Sequence, residues 1–249
     1  MKKRLLLFAV IFLIGFVFFR GNQNVSSEKI AKNLEYGVLK LKDQTAELHY
    51  VRFSLEDYQL RTIQAKDFKK LSLSSQEMLQ ASHALAVINA NFFDENRKAL
   101  GLIIDQKKIK NPLHPSSWWA SFLIAGKNAR IVLKPDPKEL KKYDFAIQAG
   151  PRLVVAGKVP KLKSHISAKS AIGIDDQGKI VIIASKGHLD IRDFARYLSL
   201  SKKSGGLALK NALNLDGGSS TQFSIKSGDF QLEIPSFIKV PVGIGVFPR

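Results

Sequence analysis

The chain has 249 residues and a mass of 27.7 kDa, room for one domain of ordinary to large size, or two small ones, behind a short leader. Cysteine is absent, which excludes a disulfide scaffold, thiolate zinc or iron–sulfur sites and a cysteine nucleophile. With 39 Lys+Arg against 21 Asp+Glu the formal net charge is +18, and 45% hydrophobic with 24% charged residues marks a globular chain rather than a disordered one.

Lys2, Lys3 and Arg4 precede an unbroken apolar run from Leu5 to Phe19, closed by Arg20. Such a run reaches only about 22 Å as a helix, short of the roughly 30 Å hydrocarbon core, and has the length of a secretory h-region. Val25-Ser26-Ser27 is a weak cleavage site. Residues 1–27 are therefore read as a signal peptide or an uncleaved signal anchor, with a buried N-terminal helix as the alternative. The remainder is expected in the periplasm or cell envelope, attached to the inner membrane through residues 5–19 if uncleaved.

The next element is a strand over 47–55, with 59–65 as its expected partner. Ser74 and Ser75 introduce a helix over 76–83, and 85–90 is a buried strand. Residues 121–124 and 130–133 form a hairpin about Gly126-Lys127-Asn128, and Pro135 and Pro137 open a helical turn ending near Tyr143. Strands 145–148 and 153–155 flank Ala149-Gly150-Pro151. A second hairpin joins 171–174 to 179–184 through Asp175-Asp176-Gln177-Gly178. Asp190 caps a helix over 191–200, whose Ile191, Phe194, Ala195 and Leu198 lie on one stripe. Strands follow at 212–215, 221–225 and 240–247; Gly243 and Gly245 in the last mark a close backbone approach. The fold expected is α+β, a mixed and largely antiparallel sheet with a few packed helices.

Lysines come in small groups: Lys66, Lys69, Lys70; Lys107, Lys108, Lys110; Lys138, Lys141, Lys142; Lys202, Lys203. Such a surface is either solvated or attracts an anionic partner such as a phosphate-bearing glycan or lipid headgroups. No recognition helix, zinc finger or RNP-like aromatic motif accompanies it, so nucleic acid is not expected.

Four clusters carry chemistry. In Asn214-Leu215-Asp216-Gly217-Gly218-Ser219-Ser220-Thr221 a strand ends in a carboxylate, then two glycines and three hydroxyls. Successive glycine N–H groups can converge on an anion, while Asp216 can serve as acid, base or nucleophile; a plain hairpin turn is the alternative. Asn89-Ala90-Asn91-Phe92-Phe93-Asp94 sets two amides and an acid around an aromatic pair. The amides suit sugar hydroxyls, and either ring is the better candidate for core. Gly150-Pro151-Arg152 holds an arginine suited to bidentate phosphate contact, with a surface ion pair as the alternative, and Lys169-Ser170 adds a cation and a hydroxyl. Trp118 and Trp119 are adjacent, so at most one is core and the other is open to a glycan. The histidines His49, His83, His114, His165 and His188 show no paired ligand spacing, and Asp57, Asp67 and Glu77 read as solvated.

Together, Asn89-Ala90-Asn91-Phe92-Phe93, Gln148-Ala149-Gly150-Pro151-Arg152-Leu153-Val154, Ser170-Ala171-Ile172-Gly173-Ile174 and the segment from Asn214 to Thr221 resemble the phosphodiester glycosidase family. The resemblance runs in order over 84–249 and implies a single catalytic domain, 28–249, of a family whose known member class removes N-acetylglucosamine from a phosphodiester and many of whose bacterial members are exopolysaccharide-related. Two positions depart from the family: glycine is common where Asn91 stands, and arginine where Lys169 stands. The segment 186–190 also lacks the glycine-rich, hydroxyl-bearing loop of many relatives.

The implied cleavage lies between an anomeric carbon and a phosphate oxygen. Because a phosphate monoester leaves as a stabilised anion, help to the leaving charge outweighs general-acid help. Asp216 is the first candidate for base or nucleophile and Asp94 the second carboxylate. Asn89, Asn91, Arg152, Lys169, Ser170, Asn214, Gly217, Gly218, Ser219, Ser220 and Thr221 form the expected substrate-binding set. No cofactor is expected, and the sequence leaves a metal ion and the oligomeric state open. A non-catalytic binder of phosphorylated glycans and a structural envelope protein held by charge are the competing readings.

Overall fold

The run from Ser170 to Asp175 alternates strictly: Ile172 and Ile174 face one apolar cluster, while Ala171 faces another. Its hairpin partner repeats the pattern, with Ile180, Ile182 and Ala184 on one side and Val181 and Ile183 on the other. A period of two with both faces apolar dictates a strand covered on both sides. The computed structural model describes residues 25–41 and 46–249, and every strand pair in it is antiparallel.

Three sheets meet at one core. The seven-stranded sheet runs, in spatial order, Val25–Ala31, Leu34–Lys40, Glu47–Phe53, Ile180–Lys186, Ser170–Asp175, Leu209–Asn214 and Arg152–Val154. A five-stranded sheet orders Lys108–Asn111, Ile103–Asp105, Phe145–Ala149, Ala120–Ala125 and Asn128–Val132. The other orders Phe230–Ile234, Phe223–Ser227, Ala86–Asn89, Val242–Pro248 and Tyr58–Gln64. Each gives one face to a common cluster that includes Phe53, Ile88, Phe122, Phe145, Ile182 and Phe223. Burial of this shared apolar surface is the main force that docks the sheets.

The outer faces are covered separately. Helix α1, Ser75–Ser82, lays Met78 and Leu79 over Ile63 and Val87. It begins in a capping box between Ser74 and Glu77 and ends at His83 in the left-handed region. A Cβ on Gly243 would stand 2.6 Å from Met78 Sδ, so the close approach expected there is made by α1. Helix α2, Ile191–Ser199, starts at Asp190, whose side chain accepts the Arg192 N–H, and packs Phe194, Ala195 and Leu198 on the seven-stranded sheet. A 3₁₀ turn, Pro137–Lys142, brings Leu140 onto the remaining face.

The antiparallel part of the expected fold holds, but its weight lies in strands, with two short α-helices among the described residues rather than a balanced α+β mixture. Two expected pairings are corrected. Strand Tyr58–Gln64 pairs with Val242–Pro248, not with Glu47–Phe53, which lies between Leu34–Lys40 and Ile180–Lys186. The segment between Asn214 and Phe223 is no hairpin turn, because those strands belong to different sheets. The apolar run 5–19 lies outside the described residues, and Val25-Ser26-Ser27 is the start of an edge strand paired with 37–39. Glu77, expected to be solvated, is a cap residue and an ion-pair partner of Lys239 at 2.6 Å. Among the described residues no helix is long and apolar enough to cross a membrane.

Candidate active site

The crossover from Asn214 to Phe223 passes between two sheets, and its main chain is caught on both sides. Asp216 N donates to Ala90 O at 3.0 Å and Leu215 N to Ser170 O at 2.9 Å. Asn214 N donates to Pro151 O at 3.0 Å, and Gly218 N to Ala168 O at 2.8 Å. Segments far apart in sequence thus converge on Asp216.

Side chains complete the weave. Asn89 Nδ2 donates to Asp216 O at 2.5 Å, while its Oδ1 accepts from Ser170 Oγ at 2.7 Å and Gln222 N at 3.2 Å. Asn91 Nδ2 lies within hydrogen-bonding reach of the carbonyls of Leu100, Leu102 and Gln148. Asn214 Nδ2 donates to Gly150 O at 3.1 Å and to Leu215 O at 2.6 Å. Asn89 and Ser170 are almost wholly buried with these atoms engaged, so they frame the site rather than reach into it. Asn91 Oδ1, Asn214 Oδ1 and Thr221 Oγ1 are buried acceptors or donors with no hydrogen-bond partner among the described residues, which is costly unless something binds them.

Asp216 is half-buried. Desolvation raises its pKa above the usual carboxylate value, against the Ser220 hydroxyl and Gly217 N–H, which pull it down. Gly218 has φ +61 with open space at its Cβ position, whereas a Cβ on Gly217 would stand 3.0 Å from Ala168 O. Ser219 is exposed beside them, and its carbonyl accepts from Ile238 N. The glycine turn is thus held from behind and open in front.

Arg152 stands in register with Leu213, which is in register with Ile172, so it shares the face of Ser170 at the sheet margin. No side-chain partner among the described residues engages its guanidinium. Lys169 is placed differently. Its ammonium is buried against the segment 165–167, which includes the short strand Ile166–Ser167, 2.9 Å from His165 O and 2.7 Å from Ser167 Oγ. Burial lowers its pKa to about 8, with Asp190 acting in the opposite sense. Ser167 Oγ in turn lies 4.0 Å from the Cβ position of Gly217, so Lys169 reaches the glycine turn only through that strand. Asp94 Oδ1 accepts the Lys98 N–H at 2.8 Å and closes its own turn; no hydrogen bond among the described residues joins it to Asp216.

The tryptophans divide as their adjacency required. Trp119 is buried, stacked on His114 with centroids 4.4 Å apart and tilted against Phe92 at 5.0 Å. Trp118 is 53% exposed and lies against Gly150, where its Cε3 is 3.3 Å from the Cβ position. A cleft of about 410 Å³ opens beside it, lined by His114, Ser116, Ser117 and Gln148 but not by Asp216. Among the described residues no group of three His, Asp or Glu side chains is placed to hold a metal ion.

Two further residues frame the site, Gln222 and the motif residue Gln148, neither of them in the expected substrate-binding set. Gln222 Oε1 accepts the Ser75 N–H at the start of α1. Gln148 Oε1 accepts from Leu102 N at 2.9 Å and His114 N at 2.8 Å. Neither pattern has a local signal, since each side chain bonds main chain remote in sequence.

Such a structure, antiparallel sheets crossed by a loop with a carboxylate before paired glycines, is similar to that of several solved proteins. The catalytic domain of zebrafish N-acetylglucosamine-1-phosphodiester alpha-N-acetylglucosaminidase, auto-inhibited by its pro-peptide, superposes with a TM-score of 0.64 at 16% identity, over 91% of this chain and 84% of that one. A Synechocystis protein gives 0.66 at 16% identity, over 90% of this chain and 64% of that one, and a Burkholderia pseudomallei protein 0.53 at 10%, over 82% and 74%. In sequence, the Escherichia coli (strain K12) protein YigE is 28% identical over 142 residues, 52% of this chain; the match spans about half of that relative, 54% of its length. Residues 82–247 match the phosphodiester glycosidase family, and the chain belongs to it.

Proposed function

We propose that the protein is an exported glycosidase that hydrolyses a sugar-1-phosphodiester of the N-acetylglucosamine-1-phosphodiester type, in an envelope polymer or exopolysaccharide. The carrying observation is the convergence on Asp216 of main chain from 90, 151, 168 and 170, with the open glycine turn after it. Asp216 takes a proton from water as the water oxygen bonds to the anomeric carbon; the bond to the phosphate oxygen breaks, and its electron pair leaves on the phosphate monoester. A raised pKa makes Asp216 a stronger base than a free carboxylate. Arg152, whose guanidinium has no side-chain partner among the described residues, is the group assigned to the leaving charge; the glycine N–H groups expected to share that role are engaged, Gly218 N on Ala168 O and Gly217 N–H on the Asp216 carboxylate. Lys2, Lys3 and Arg4 before the apolar run 5–19 support export.

The test uses full-length protein in mild detergent with methyl α-N-acetylglucosamine-1-phosphate diester. Wild type should release free N-acetylglucosamine and Asp216→Asn should not, while both bind the diester. Equal release by both would remove Asp216 from the chemistry. Saturable binding without release by either would turn the site into a phosphoglycan-binding one.

A further inference from the structure

Five cations scattered over 45 positions of sequence line one cleft of about 270 Å³: Lys66, Lys70, Arg97, Lys98 and Lys110. No acid lines it. The four lysine ammoniums make no ion pair or hydrogen bond with described residues. Arg97 is held in place, its Nη1 donating to Lys239 O at 3.1 Å and its guanidinium lying over the Phe93 ring. The nearest acids do not neutralise the group. Asp94 closes its own turn and Asp67 is exposed on the Lys66 turn, while Asp105, buried on Thr62 N, interacts electrostatically with Arg61 and with Lys110, one carboxylate beside five cations.

The cleft adjoins the candidate active site through two shared walls. One is the loop from Asn91 to Ala99, which leaves the site and delivers Arg97 and Lys98. The other is the segment 238–242, where Ile238 N donates to Ser219 O and Pro241 and Val242 line the cleft. Ala90 N donates to Val242 O, and Ala90 O accepts from Asp216 N. Two such strand-like steps place the cleft wall about 10 Å from the Asp216 main chain.

We infer that this basic cleft is a second phosphate subsite, seating a further phosphate of the same anionic glycan whose sugar-1-phosphodiester lies at Asp216. The preferred substrate is then a phosphodiester-linked polymer rather than a lone diester, an assignment that rests on the hydrolytic reading above. Clustered unpaired ammoniums suit spaced phosphates. The cleft presents no aromatic platform of the kind single-stranded nucleic acid uses. Its one exposed large aliphatic side chain, Leu71, is too little to anchor a membrane.

The test compares full-length wild type, K66Q/K70Q/K98Q/K110Q and the control K202Q/K203Q/K210Q/K226Q, which removes equal charge from exposed positions outside the cleft. The probes are a fluorescent oligomer of N-acetylglucosamine-1-phosphate units joined by phosphodiesters, and the methyl diester. Oligomer affinity by anisotropy should fall about tenfold or more in the cleft variant alone and should weaken in wild type between 50 and 300 mM NaCl. Release from the methyl diester should stay within about twofold in all three. Equal oligomer affinity in the cleft variant and the control would overturn the subsite. So would loss of single-stranded DNA or phosphatidylglycerol-vesicle binding in the cleft variant with the oligomer unaffected. Lysine-dependent oligomer binding without release from either probe would support the subsite while defeating the hydrolytic reading.

Discussion

The side-chain amide of Asn89 donates to the main-chain oxygen of Asp216 across 2.5 Å, from a strand 127 positions earlier in the sequence. Its carbonyl oxygen is filled by Ser170 Oγ and Gln222 N, so one buried amide fixes three segments relative to the carboxylate. Asn89→Ala leaves those three groups without a partner, and an unsatisfied buried polar group costs about 1–3 kcal/mol. A loss of about 3 kcal/mol by urea denaturation is expected, with turnover falling more than tenfold under conditions where the variant is still folded.

Asp216→Asn should abolish turnover yet raise the melting temperature at pH 7. In wild type the folded-state pKa is raised by desolvation, so ionisation is penalised only in the folded form. The penalty is present above the folded pKa, shrinks as pH falls through it, and vanishes below the unfolded value of 3.8. The gain in the variant should therefore be seen at pH 7 and be lost near pH 3 in calorimetric scans. Catalysis by an ionised Asp216 should also show an acid limb above the ordinary carboxylate value.

Lys169 makes the opposite prediction for alkaline pH. Its pKa is lowered from 10.5 to about 8 by burial, so between those values the unfolded chain binds the proton that the folded one has lost. Stability then rises with pH across this window, by up to about 3 kcal/mol. Lys169→Met should flatten that rise relative to wild type in melting curves taken from pH 7.5 to 10.5.

Gly217→Ala places a Cβ 3.0 Å from Ala168 O, a main-chain atom that already accepts from Gly218 N. The turn must move by a few tenths of an ångström to relieve the contact. We expect kcat for the methyl diester to drop at least tenfold with a stability loss of only about 1 kcal/mol; a change in stability with unaltered kcat would show that the turn does not position the reacting groups.

The two tryptophans separate binding from folding. Trp119→Ala removes a buried ring stacked on His114 and packed against Phe92 and should cost about 3 kcal/mol or more. Trp118→Ala removes an exposed ring at Gly150 and should leave stability within about 0.5 kcal/mol while raising KM.

Local chemistry was legible in the residues themselves. The Ser74 start of α1, the Asp190 cap of α2, the hairpin at Asp175-Asp176-Gln177-Gly178 and the alternation of Ser170–Asp175 follow from backbone preference and a period of two. So did the family motifs and the division of Trp118 from Trp119. These depend on neighbours within a few positions, where side-chain capping and φ/ψ sterics act. Pairing did not follow. Tyr58–Gln64 joins Val242–Pro248 rather than the adjacent Glu47–Phe53, because each strand is chosen by the sheet whose inner face it completes. Nor does any pattern along the chain reveal that Asn89 and Ser170 spend their polar atoms on each other while Arg152 keeps its own free, or that Lys66, Lys70, Arg97, Lys98 and Lys110 share one cleft. Hydrogen-bond saturation and charge density are sums over neighbours in space, and only the docking of three sheets on a common core decided who those neighbours are.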